Sequence, residues 1–221
     1  MQSSLEQFIE HAKEHTVIPV WKELVADLIT PVSAFERIVG DQPGFLLESV
    51  EHGERWSRWS FIGRNPLLTI KKIDSQLLVE GEIPIEFDVN GQILESVRAL
   101  QRTLSAPQIE NFPPMYSGLL GYLGYDTVRE IEDLPTPAND DLQVPDAILS
   151  VIGEVAAFDH WSQRVFLIAN AIVKPQSSES EIAESYYETK NRLDSLMLDG
   201  AKPLSEPLLD PPNLNLSLIH I

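Results

Sequence analysis

Apolar residues recur along this chain in two rhythms, one of three to four residues and one of two. Leu5, Phe8, Ile9 and Ala12 fall at helical spacing and predict a helix over residues 4–14. Residues 16–29 read as extended, with Val17, Ile18, Val20, Leu24 and Val25 set around Pro19, which belongs at a sheet edge or a strand start. Thr30-Pro31-Val32-Ser33 opens a short helix with Pro31 in its first turn, and Gly40 ends it. Residues 45–49, 58–62 and 67–73 predict strands, separated by turns at His52-Gly53 and Asn65-Pro66. Further strand is expected over residues 75–87, around Gly81. A second helix spans residues 93–104, with Ile93, Val97, Leu100 and Leu104 on one face. Residues 115–125 and 147–158 each read as a strand, and residues 164–173 return as a hairpin partner after the polar connector Asp159-His160-Trp161-Ser162-Gln163. Residues 180–198 form an amphipathic helix carrying Ile182, Tyr186, Leu193, Leu196 and Met197, and the Ser178 to Glu181 approach reads either as a helix-start signal or as plain loop. Helices and hairpins without regular β-α-β alternation predict an α+β fold, a mainly antiparallel sheet with flanking helices.

After Gly200 the pattern stops. Residues 202–215 hold four prolines and read as a linker, and residues 214–221 form an apolar tail. The expected organisation is one domain over residues 1–200, then a linker and a truncated tail over 201–221, the whole being a fragment. At 221 residues, 43% apolar and 23% charged, the composition is that of a globular chain. Sixteen basic against thirty-four acidic residues give a net charge of −18, which repels phosphate backbones and argues against nucleic acid as a partner. No run approaches the ~20 apolar residues that cross a bilayer, and Met1 to Glu6 lack a secretory leader's pattern. With zero cysteines as well, a cytoplasmic location is the expectation.

Chemistry is sparse. There is no Gly-x-Ser-x-Gly elbow, and the five histidines are scattered. His11 and His15 stand at i, i+4, but Ala12-Lys13-Glu14 between them does not make a zinc-protease pattern, and two solvent-facing histidines are the plainer reading. Gly118, Gly121 and Gly124 match neither a phosphate loop nor a dinucleotide fingerprint; they serve either tight sheet packing or the wall of a pocket. The densest block is Phe45 to Pro66, FLLESVEHGERWSRWSFIGRNP. On strands, Leu47 and Ser49 share one face and Leu46 and Glu48 the other, while Arg58 and Ser60 point opposite to Trp59 and Phe61. Glu48, a hydroxyl and Arg58 could together hold a zwitterion, the carboxylate taking an ammonium group and the guanidinium a carboxylate. The same residues read equally as an edge ion pair between Glu48 and an arginine, and Trp56 and Trp59 as packing residues.

Leu46-Leu47-Glu48-Ser49 with Gly53 to Gly63, the run Thr16 to Val20 leading into Thr30 to Phe35, and Gly118 to Asp126 resemble, in order, the N-terminal region of anthranilate synthase component I. The resemblance implies a lyase of tryptophan biosynthesis that converts chorismate and ammonia to anthranilate and pyruvate with Mg²⁺. It also implies a glutamine amidotransferase partner (component II) that supplies the ammonia. It further implies that Leu-Leu-Glu-Ser belongs to a site where tryptophan inhibits, so that Glu48, Ser49 and, more loosely, Arg58 are inhibitor-binding residues. The family's catalytic half has no counterpart here, so no catalytic or metal residue is expected and the chain alone is expected to be inactive. Two alternatives are the related aminodeoxychorismate synthase component I, which favours aspartate where Glu48 stands, and a free-standing amino-acid-binding module.

Overall fold

The computed structural model describes residues 2–48, 58–73, 76–81, 91–135 and 143–203. The expected linker and tail therefore lie outside it from residue 204 onward, as do Ser49, Trp56 and the predicted turn at His52-Gly53.

Among the described residues four α-helices and nine strands run in the order α1 (Leu5–Ala12), β1 (Val17–Val25), α2 (Pro31–Ile38), β2 (Gly44–Glu48), β3 (Trp59–Arg64), β4 (Leu68–Ile73), β5 (Gln76–Gly81), α3 (Ile93–Thr103), β6 (Leu119–Leu123), β7 (Ala147–Val151), β8 (Glu154–Asp159), β9 (Arg164–Ile172) and α4 (Glu179–Gly200). The strands make two antiparallel sheets: five strands in the order β1-β9-β8-β3-β2, and four in the order β5-β4-β7-β6. The α+β architecture is the expected one, with two sheets in place of one. Pro19 sits on β1, at the edge of the first sheet, where its missing N–H costs no ladder bond.

The division into two sheets falls inside a segment that the apolar pattern reads as one strand. Residues 147–158 break at Ile152-Gly153, so β7 joins the second sheet and β8 the first. The partner chain breaks opposite it, at Asn65-Pro66, between β3 and β4. Arg64 pairs with Glu154 before the break and Leu68 with Val151 after it. The two paired segments thus form one bent ribbon that runs through both sheets. Asn65 makes the bend in a left-handed conformation, φ +46°, which asparagine tolerates better than most residues. Ile152 and Gly153 are buried between two largely apolar runs, so nothing in the periodicity of that segment marks the break, whereas the turn opposite it at Asn65-Pro66 is the predicted one. Residues 115–125 likewise yield only the short β6, followed by a 3-10 helix over Tyr125–Glu130.

Helices α1, α2 and α4 cover one face of the first sheet, burying Phe8, Ile38, Leu193 and Leu196 against Ile18, Ile62 and Leu167. Helix α3 covers one face of the second, with Ile93 and Leu100 against Leu68, Ile70 and Leu149. A third apolar cluster, including Phe61, Val155 and Phe166, fills the other face of the first sheet. None of the helices described is long and apolar enough to cross a membrane.

Three helices start with reciprocal capping boxes: Ser4 with Gln7, Thr30 with Ser33, and Ser178 with Glu181. At α3 the cap residue Gln92 makes no such side-chain bond. Glu130, from the 3-10 helix, takes over: its carboxylate accepts the Ile93 and Leu94 N–H groups at 2.9 and 3.0 Å and pairs with Lys72 at 2.5 Å. Burial alone would raise the Glu130 pKa, but the Lys72 ammonium and the two amide donors outweigh it and hold the carboxyl below its ordinary value. A carboxylate with a depressed folded pKa stabilises fully above its unfolded value, and that contribution is lost as pH falls through the folded one. Glu130→Gln is accordingly expected to cost about 2 kcal/mol at neutral pH. The gap from the unsubstituted chain should narrow as pH drops below about 4.5, which urea unfolding across pH checks.

Candidate amino-acid site

The Arg-Trp block resolves into a compact cluster where β3 begins and β8 ends. Arg58 directly precedes β3 and receives the N–H of His160 on its backbone carbonyl at 2.9 Å. Its guanidinium grips Asp159 through two bonds, Nε to Oδ1 at 3.1 Å and Nη2 to Oδ2 at 2.9 Å. It lies 4.9 Å from the ring centre of Trp59 and 5.1 Å from that of Trp161. Asp159 is 4% exposed and Trp161 is 72% exposed, so the cluster runs from a buried anion outward to an open aromatic face. A buried carboxylate needs a cation, and the planar fork of arginine satisfies both oxygens while stacking on the indoles.

The electrostatics follow from that contact. Burial would raise the Asp159 pKa, yet the hydrogen bonds from Arg58, Ser162 and the Trp161 N–H hold it below the ordinary carboxylate range. The hydrogen bond to Asp159 raises the Arg58 pKa, against a smaller opposing effect of desolvation.

Glu48 is the last residue of β2 and is exposed. It stands opposite Ser60, which stands opposite Phe158, so these three share one sheet face. On that face the Ser60 hydroxyl and His160 Nε2 meet at 2.7 Å. Trp59 and Asp159 are register partners and occupy the other face. The arginine was expected to point with Ser60. The structure instead brings its guanidinium to the Trp59 side, because Arg58 precedes the regular strand and the buried Asp159 draws it there. Glu48 and the Arg58 guanidinium are therefore not brought together, and the edge ion pair weighed for Glu48 is replaced at the arginine by Asp159. Ser49 lies outside the described residues. Trp59 packs as expected, stacked on Phe61 with ring centres 6.2 Å apart.

Asp159, His160 and Trp161 are the residues the sequence reading passed over as a polar connector. A signal was present: an acid followed by histidine and tryptophan, at the far end of the strand that partners an Arg-Trp pair. The glycine run serves packing at two of its three positions. A Cβ on Gly121, whose φ is +155°, would lie 1.8 Å from the Ile148 carbonyl oxygen, and one on Gly124 would lie 2.7 Å from that of Asp146. His11 is half-buried, and burial and then the neighbouring His15 lower its pKa. Among the described residues no group of three or more His, Asp or Glu side chains gathers in a way that would hold a metal ion.

No family model matches the chain. Curated relatives do: the anthranilate synthase component 1 of Arthrobacter globiformis is 36% identical over 214 residues, 96% of this chain and 40% of that protein. The protein of the same name from Mycolicibacterium smegmatis is 38% identical over 207 residues, 93% of this chain and 38% of the relative. This chain is a relative of part of anthranilate synthase component 1. It spans about two fifths of the length of the curated proteins it matches. The one from Acetivibrio thermocellus is 32% identical over 84% of this chain and 36% of its own length. In fold the chain is similar to the crystal structure of anthranilate synthase component I from Streptococcus pneumoniae, with a TM-score of 0.51 over 82% of this chain and 37% of that one, at 22% identity. That likeness bears on the two-sheet α+β architecture.

Proposed function

We propose that residues 1–200 are the regulatory region of an anthranilate synthase component I, carrying part of a tryptophan-binding site that includes Glu48, Ser49 and Arg58. The enzyme reading is a lyase that makes anthranilate and pyruvate from chorismate and ammonia in the first step of tryptophan biosynthesis. A glutamine amidotransferase subunit supplies the ammonia. The sequence relationship over about 40% of the relatives supports this reading. The observation that carries the site is the Arg58 guanidinium, fixed on Asp159 and flanked by two indole rings. Asp159 occupies the Nε edge, so the opposite edge is the one a ligand carboxylate would take, with the exposed Trp161 beside it as an aromatic surface. Glu48 stands on the other face of the sheet and Ser49 outside the described residues, so their part in the site rests on the sequence relationship. Among the described residues no group of three or more His, Asp or Glu side chains would hold the Mg²⁺ that this enzyme reading implies.

Tryptophan titrated into the chain is expected to shift the Arg58 Nε–H and the Trp59 and Trp161 indole N–H resonances. Arg58→Ala should abolish these shifts or weaken the affinity about tenfold. Resonances unmoved at millimolar tryptophan would remove the site. The chain given chorismate, ammonia and Mg²⁺ is expected to form no anthranilate, and its fluorescence would reveal any.

A further inference from the structure

Where the ribbon bends from one sheet to the other, the molecule opens into a cavity of about 590 Å³. Neither Glu48 nor Arg58 lines it. Its walls are apolar and partly aromatic, with Phe45, Leu120, Tyr122 and Ile148. Its floor holds Thr69 and Ser150, register partners on β4 and β7 whose hydroxyls meet at 2.8 Å. At its rim the Lys71 ammonium meets Glu80 at 2.6 Å.

The residues of the second sheet in this set share the face turned away from α3. Thr69 and Lys71 alternate with Leu68 and Ile70, which are buried against that helix. The volume falls within the ~300–1,000 Å³ of small-molecule sites, and apolar walls with a few polar groups at fixed points are their usual make-up.

The polar groups specify the ligand. Two hydroxyls bonded to each other still offer one O–H donor and spare lone pairs. Thr69 and Lys71 stand two residues apart on β4, about 7 Å between their Cα atoms, and the Lys71 side chain carries its ammonium to Glu80. A molecule that reaches both the hydroxyl pair and the ammonium carries polar groups at its two ends. Phe45 and Tyr122 favour a body that is flat and aromatic. Lys71 and Glu80 are 29% and 60% exposed as side chains, and a pair so open to solvent contributes little, so an incoming carboxylate can take Glu80's place.

We propose that this cavity binds a planar aromatic carboxylate with a hydroxyl at its far end, the carboxylate on Lys71 and the hydroxyl on the Thr69–Ser150 pair. This stands apart from the amino-acid reading, since it uses none of the same residues.

The probe is 4-hydroxycinnamate, titrated into the full chain by calorimetry, with 4-hydroxycinnamamide and cinnamate for comparison. Lys71→Ala is expected to weaken the acid about tenfold and leave the neutral amide unchanged. Ser150→Ala should weaken both hydroxylated compounds and spare cinnamate. Glu80→Gln, which removes the competing carboxylate, should tighten the acid about threefold, a change no misfolded variant would give. Failure of 4-hydroxycinnamate to bind at millimolar concentration overturns the proposal. So does an equal loss of acid and amide in Lys71→Ala, or unchanged or weaker binding of the acid in Glu80→Gln.

Discussion

Replacing Arg64 by methionine is expected to cost about 4 kcal/mol of folding stability, the scale for breaking a buried ion pair from one side. The guanidinium, 12% exposed, donates to Glu154 at 2.8 Å and pairs with Asp199 at 2.6 Å. It also donates to the Ile38 carbonyl at 2.7 Å, closing the end of α2. One side chain on β3 therefore ties together β8, α2 and the last turn of α4. Without it Glu154, 2% exposed, keeps the neutral Asn65 amide at 3.3 Å as a hydrogen-bond donor and feels the Arg192 charge through space, while Asp199 keeps Lys202. The double variant Arg64→Met, Glu154→Met should recover much of the loss, because no buried charge is then stranded. Urea midpoints with an unchanged m-value measure both. A single-variant loss below about 1 kcal/mol would show that solvent reaches the pair far more freely than its exposure indicates.

Gly153→Val is the second large effect, about 3 kcal/mol, at the upper end of what overpacking costs. A Cβ on Gly153 would lie 1.9 Å from the Asn65 carbonyl oxygen and 3.2 Å from the Leu67 nitrogen. Both atoms are backbone, so no rotamer change relieves the clash and the bend itself must open. Gly200→Ala makes the control: a Cβ there sits 3.8 Å from Ile38, an ordinary contact, so that variant should be neutral or slightly stabilised. Thermal unfolding of the two side by side separates crowding at the bend from a general intolerance of glycine replacement.

Much of the fold was legible in the residues. The apolar stripes of α1, α3 and α4 and the start signals at Thr30 and Ser178 mark real helices, since those caps act through neighbours three residues away. What failed to show was long-range. The break at Ile152-Gly153 lies between two apolar runs, and only the close approach of Asn65 demands it. Glu130 caps a helix that starts 37 residues before it in the chain, which no local pattern announces. The site behaved likewise. The Arg-Trp block was conspicuous, but its anion, Asp159, comes from a hairpin 101 residues onward. The placing of Arg58 on the Ser60 face went wrong because alternation holds only within a regular strand, and Arg58 stands just outside one.

The bent ribbon has a consequence for how the molecule comes apart. Since β3–β4 and β8–β7 cross from one layer to the other side by side, neither layer can melt while its strands in the other stay paired. The Leu67 amide, bonded to the Val151 carbonyl at 3.0 Å, and the Asn170 amide, bonded to that of Gly153 at 2.7 Å, sit on either side of this crossing. Their solvent-exchange rates should rise together, at the free energy of whole-chain opening.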